Sequence, residues 1–390
     1  MIISPILPRI GQELGIDAAV LGTLVSAYSM MLALFAVISG PISDRIGRRR
    51  MLLLGTGVMA IALSLHVFVT NYASFLALRS LTGAAGGMLS GVAVSYIGDW
   101  FPYERRGWAT GWVMSGSAFG QIIGIPLGIV MAGRWGFRAP FYMFAVTMAA
   151  TFVIIWFRIP QPPVERHKAP LTVESAVRDY WAMLRRKEVA LASLAYFMMY
   201  MGVSVYMVYF PSWLENDLGV TSAQIASIYL FGGVANVLAG PMAGHASDRV
   251  GRKRIILMSS CGLSILMLLT TPVVRSVWIA YPFFFMAMVL IAMRISPFSA
   301  LLTSLDDKRR GSLMSLTVAL SQVGFAVGAA LSGPLYARVG YGSNTMLGAV
   351  AVLAMGLIVW VWVPDPSNGP RLGVAAVEAV ERCARSGAST

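Results

Sequence analysis

Asp44 and Asp248 each stand inside a run of basic groups, in Gly40-Pro-Ile-Ser-Asp-Arg-Ile-Gly-Arg-Arg-Arg50 and Gly244-His-Ala-Ser-Asp-Arg-Val-Gly-Arg-Lys-Arg254. A carboxylate among guanidinium groups can form short, charge-assisted hydrogen bonds, and a conformational change can make or break them. The Arg and Lys side chains have further uses, since they grip phosphate headgroups and resist transfer across a bilayer. The two Asp serve neither purpose, which points to a paired role. The bland alternative is a solvated loop charge contributing roughly 0–1 kcal/mol.

The other chemistry-bearing groups lie within apolar stretches. Arg79, in Leu76-Ala-Leu-Arg79-Ser-Leu-Thr-Gly83, falls about 6 Å inside a helix starting near Phe75, and Arg294 falls about 12 Å from a helix end near Leu302. An intramembrane charge on insertion scales costs roughly 2.5–3.5 kcal/mol, so it usually faces a cavity. Either arginine could instead snorkel to an interface. His66 titrates near neutrality when unperturbed, and as a lone histidine on an apolar face it is more often a hydrogen-bonded filler. Gln121, Tyr28, Tyr196, Tyr200, Asn236 and Gln322 supply further polar or aromatic groups for a cavity.

The elements that must position these groups are duplicated. The two charged runs align without gaps at an offset of 204 residues (248 − 44), placing Gly40, Arg45, Gly47 and Arg48 on Gly244, Arg249, Gly251 and Arg252. The offset also brings Arg105 and Arg106 onto Arg309 and Arg310, Gly120 and Gly124 onto Gly324 and Gly328, and Gly136 onto Gly340. Two halves of one design follow each other along the chain.

With 57% hydrophobic and only 12% charged residues, the 390-residue chain belongs in a bilayer. The formal charge of +13 does not indicate nucleic acid, because the basic residues form short clusters between apolar runs. Cys261 and Cys383 have neither disulfide-framework numbers nor metal-ligand spacing, and no metal or cofactor motif is visible. Nor does any P-loop or nucleophile–base grouping indicate an enzyme.

Eleven apolar runs approach the roughly 20 residues that a bilayer crossing needs, from Val20–Ser39 to Thr345–Val363. In lipid they must be helices. The run Val189–Phe210 opens the second half, and its counterpart one repeat earlier would reach only as far as Ile6. The expected architecture is therefore all-α, two pseudo-symmetric six-helix bundles with the first helix largely missing. The predicted units are 1–157, a linker 158–188 with an interfacial helix, 189–363, and a tail 364–390. If the charged runs face the cytoplasm, Arg9, Arg134, Arg138, Arg275 and Arg338 lie on the other side, Arg79 and Arg294 are intramembrane, and every other Lys and Arg is cytoplasmic. That asymmetry predicts cytoplasmic linker and C-terminus, against anionic headgroups.

The doubled pattern G-x-x-x-D-R-x-G-R-R/K-R resembles the signature loop of the major facilitator superfamily, over nearly the whole chain. The resemblance implies two bundles rocking around a midplane site, a small-molecule solute, protons as coupling ion, a monomer and a bacterial inner membrane. It further implies that Asp44 and Asp248 engage basic residues in one of two conformations, with Arg105 or Arg106 near the first and Arg309 or Arg310 near the second. Arg79 matches the family's fourth-helix arginine, linked there to proton coupling and substrate handling. The stripe Gly116, Gly120, Gly124, Pro126 and Gly128 resembles the antiporter motif of the drug and sugar efflux branch, with one extra residue between Gly124 and Pro126. Without the resemblance, those glycines predict close helix packing. Proton-linked efflux is the leading expectation. Uptake of an organic anion through Arg79 and Arg294, or a non-transporting membrane sensor, are the alternatives.

Overall fold

The computed structural model describes residues 3–162, 178, 181–303 and 310–363. Among these, all regular structure is helical, and eleven stretches are long and apolar enough to cross a membrane. The first half holds α1 (Ile3–Leu14), α2 (Ala18–Ile46), α3 (Arg48–Leu65), α4 (Tyr72–Trp100), α5 (Tyr103–Phe119), α6 (Ile125–Trp135) and α7 (Arg138–Arg158). A π turn at Gly120–Gly124 joins α5 to α6 into one span. Pro126, which cannot donate to the helix ladder, follows immediately. The second half holds α8 (Lys187–Leu218), α9 (Ser222–Val250), α10 (Arg252–Val273), α11 (Val277–Thr303), α12 (Arg310–Val339) and α13 (Tyr341–Trp362).

The duplication is written into the backbone. Helices α2 and α9 begin and end in register, and Asp17 and Thr221, one repeat apart, both cap a helix N-terminus with a side-chain oxygen. All six glycines with positive φ among the described residues fall into repeat pairs: Gly15 and Gly219 (62° and 62°), Gly47 and Gly251 (97° and 103°), Gly136 and Gly340 (83° and 92°). Gly47 and Gly251 end one helix and start the next, each donating its N–H to Ser43 or Ser247 at 3.0 Å. A Cβ would resist that reversal, so the charged loop needs glycine there.

Two expectations change here. The first helix does not stop at Ile6; it continues past Pro8 to Leu14, one repeat before the end of α8 at Leu218. Pro8, Arg9 and Glu13 interrupt the apolar pattern, yet the backbone stays helical, because one proline removes a single donor and Arg9 and Glu13 pair with each other at 3.7 Å. The glycine stripe also behaves differently from the packing surface its spacing predicts. A Cβ at Gly116, Gly120 or Gly124 would meet nothing within 4 Å, while Gly128 alone is buried. In the second half, Gly324 and Gly328 do lie tight against the carbonyls of Phe197 and Met201 on α8.

Helices of each half pack on one another, α2 on α4 and α3, α12 on α8, α9 on α11, and α2 packs across the divide on α12. Gly83 and Gly87 of α4 approach the backbone of α2 at Tyr28 and Leu32 too closely for any Cβ. Small residues let helices meet this way where water supplies no driving force.

Candidate functional site

At the end carrying the charged loops, Arg48 reaches across to the last turn of α4. Its Nε donates to Asp99 Oδ2 at 2.8 Å, and its Nη1 donates to the Ser43 hydroxyl. Arg49 donates to the Trp156 carbonyl at 2.5 Å, and its own N–H donates to Gln161 at 3.2 Å, tying the loop to the end of α7. The second loop is built differently. Arg252 donates to the Ala300 carbonyl at 3.3 Å, and the residue one repeat after Asp99 is Thr303. Arg45, Arg249 and Arg105 are exposed, as is Arg106, whose Nε donates to the Phe101 carbonyl at 3.1 Å. The side chains of Asp44, Asp248 and Arg310, together with Gly40 and residues 304–309, which include Arg309, lie outside the described ones.

At the opposite end the halves are sealed together. The Tyr209 hydroxyl of α8 donates to the Ala18 carbonyl and accepts from the Gly22 N–H at 2.9 Å. A Cβ at Gly22 would overlap the Ala329 carbonyl oxygen of α12, and one at Gly333 would overlap that of Ala19. Gly133 of α6 faces Ser222 of α9 in the same layer.

Between the sealed end and the charged loops lies a cavity of about 100 Å³ lined from both halves. The first half contributes Ser4, Gln121 and Ile125; Val203, Met207, Tyr229, Asn236, Met288 and Phe325 come from the second. A second cavity, of about 400 Å³, lies within the first half, and Gln121 lines both. Tyr28 and Arg79 line this second one. The Arg79 guanidinium carbon stacks 4.4 Å over the Tyr28 ring, and its Nε donates to the Leu24 carbonyl at 3.4 Å. Arg79 is therefore held by α2 and does not snorkel; it is 5% exposed.

His66 lines neither cavity. Its ring stacks on Phe141 with centroids 4.3 Å apart and meets Phe75 edge-on, while Nδ1 lies 2.7 Å from the Ala62 carbonyl. That acceptor places a proton on Nδ1. Gln322 lines neither cavity either. Tyr196 and Tyr200 sit together on α8, ring centroids 5.3 Å apart, with Phe298 of α11 against Tyr196. Arg294 is wholly buried and has no hydrogen-bond partner among the described residues.

A cavity walled by both halves of a duplicated helical chain is the arrangement that the resemblance of the charged loops implies. The Major Facilitator Superfamily model matches residues 1–195 and again 192–385. The chain belongs to the major facilitator superfamily. It is thus a multi-pass membrane protein of a transporter family. Among curated relatives of this family, the multidrug resistance protein MdtG of Proteus mirabilis is 27% identical over 379 residues, covering 93% of this chain and 91% of MdtG. The uncharacterized MFS-type transporter YwfA of Bacillus subtilis is 24% identical over 365 residues, with 93% and 87% covered. Among solved structures, the D-xylose-proton symporter superposes with a TM-score of 0.75 at 18% identity, over 95% of each chain. That likeness confirms the major facilitator fold, two bundles of membrane helices.

Within this major facilitator chain, three features escaped the sequence reading. Asp99 as the partner of Arg48 had a signal, being the carboxylate nearest the membrane at a helix end beside the loop. Tyr209 had none, since one tyrosine in an apolar run looks like any other. The aliphatic cavity wall, Val203, Met207 and Ile291, had none either, because side chains facing lipid, core and cavity are of the same types.

Proposed function

We propose that the chain is a secondary transporter that exports a small organic solute in exchange for protons by alternating access. The observation that carries this reading is the cavity walled jointly by the halves, beneath a seal formed by Tyr209, Gly22 and Gly333. A solute held there touches both bundles, so a relative tilt exposes it to one side and then the other. The conformation described has the end away from the charged loops shut. The Lys and Arg asymmetry supports placing those loops, the linker and the C-terminus in the cytoplasm, which makes the described state the one that takes solute from inside a bacterial cell. The likeness to MdtG supports export.

In this reading the protein works as a monomer divided at 1–157, 158–188, 189–363 and 364–390. Asp44 and Asp248 act as latches with Arg105, Arg106, Arg309 and Arg310, closing the cytoplasmic end in the alternate state. Arg48 is already committed to Asp99 when the far end is shut. Gln121, common to both cavities, and Asn236 contact the solute. Arg79 holds α2 and α4 together through Tyr28 and Leu24.

The test is transport by the full chain in proteoliposomes loaded in turn with an organic cation, ethidium, and an organic anion, 2-naphthoate. Efflux accelerated by an imposed proton gradient is expected, and collapse of the gradient should abolish it. Efflux indifferent to the gradient overturns proton exchange, and no movement of any solute overturns export.

A further inference from the structure

Arg294 has no task in the arrangement so far. Its side chain is 0% exposed, and none of Nε, Nη1 and Nη2 has a hydrogen-bond partner among the described residues. Arg79, the other intramembrane arginine, is satisfied by a ring face and a carbonyl. A guanidinium carries five N–H donors and a charge that it keeps under all ordinary conditions. Burying it with every donor idle is strongly unfavourable unless something else completes it.

Its place in the fold says where that completion occurs. Met288 and Ile291 of α11 line the cavity between the halves, and Arg294 follows Ile291 by three residues, on the same face and about 4.5 Å nearer the charged loops. On α8, Val203 lines the cavity and Tyr200 precedes it by three residues, again one turn nearer the loops. Tyr200 lies within electrostatic reach of Arg294. On α9, Asn236 lines the cavity, and a Cβ at Gly240, one turn further on, would meet nothing within 4 Å. Tyr200, Gly240 and Arg294 therefore stand one helical turn beyond the apolar chamber, on the helix faces that line it, and bring a hydroxyl, a gap and an idle guanidinium to its loop-side end.

We propose that Arg294 anchors the carboxylate of the transported solute, making that solute a small amphipathic organic anion. The planar guanidinium takes a carboxylate through two parallel N–H···O bonds. The Tyr200 hydroxyl supplies a third donor, and the apolar body of the solute lies against Met288, Ile291 and Phe325. This assignment rests on the reading of the cavity between the halves as the solute site.

The experiment is equilibrium dialysis of radiolabelled 2-naphthoate, and of neutral 2-naphthamide, against the full chain in phospholipid nanodiscs. The anion should bind about tenfold or more tighter than the amide. Arg294→Gln should erase that preference and leave amide binding unchanged, and its melting temperature should not fall, since it removes an unpaired buried charge. If Arg294→Gln fails to fold, Arg294→Lys keeps the charge without the fork and should weaken naphthoate about threefold or more. Equal binding of anion and amide by the unaltered chain, or a preference that survives both substitutions, overturns the assignment. Export in proteoliposomes separates the two readings: ethidium export without naphthoate binding sinks the anion anchor alone, and naphthoate binding with export of neither ethidium nor naphthoate sinks the export reading alone.

Discussion

The hydroxyl of Tyr209 accepts the N–H of Gly22 at 2.9 Å across the divide between the halves, while donating to the carbonyl of Ala18. An α-helix ordinarily pairs that N–H with that carbonyl, four residues apart. The tyrosine of α8 thus stands in the backbone ladder of α2, and the seal at the far end is bonded to the main chain itself. When the seal opens, that N–H and that carbonyl keep each other as helix partners, so losing the hydroxyl contact leaves no backbone group of α2 stranded.

Removing that hydroxyl leaves α2 intact and weakens only the closed state. Tyr209→Phe should shift the equilibrium by about 0.5–1.5 kcal/mol toward the far-open conformation, the net worth of one hydrogen bond. Spin labels at Gln12 and Arg275, at the far ends of the two halves, would report it as a larger long-distance fraction. An unchanged distance distribution would take Tyr209 out of the seal.

Gly22 and Gly333 test the same seal from the steric side. A Cβ at either would collide with a carbonyl oxygen of the opposing helix, Ala329 or Ala19, and backbone cannot swing aside as a side chain can. Gly22→Ala and Gly333→Ala should each reduce transport about tenfold or more by holding the far end open, since a shift of 1.4 kcal/mol in the equilibrium is already tenfold. Gly91→Ala is the control, because a Cβ there would meet nothing within 4 Å, and it should transport normally. Equal loss in all three would reflect general damage to the fold.

How far the sequence reaches is set by which physical signals it carries. Bilayer thickness imposes run length, and the duplication imposes register, so eleven spans and the paired turns at Gly47 and Gly251 were legible. Spacing of Gly116, Gly120 and Gly124 reports a smooth helix face, but whether anything lies against it depends on a neighbour at another place in the chain. Arg294 was legible as a costly charge, whereas its lack of partners is a property of the packed structure. Asp44 drew attention by its repeated setting, while Asp99, which holds Arg48, is not repeated.

Because Asp99 has no counterpart in the second half, the Arg48 pair should contribute to the stability of the first half alone. Both side chains are partly buried, 17% and 24% exposed, so the bond is stronger than a surface pair and weaker than a buried one. Asp99→Asn should destabilise by about 1–2 kcal/mol, and a double-mutant cycle of Arg48→Ala with Asp99→Ala should give a coupling of about 1 kcal/mol. Thermal melting in detergent measures all of them, and zero coupling would make the observed contact incidental.

His66 provides the sharpest test of where protons are handled. Its ring is held between Phe141 and Phe75, with Nδ1 engaged by the Ala62 carbonyl and no place on either cavity wall. A phenyl ring fills that stack nearly as well, so His66→Phe should fold and retain the dependence of efflux on the proton gradient, with less than about a threefold change in rate. Transport that becomes independent of the gradient in this variant would reverse the assignment and make His66 the proton carrier. The direct measurement is initial efflux rate against external pH for the two proteins side by side, because a filler moves the height of that curve and a carrier moves its midpoint.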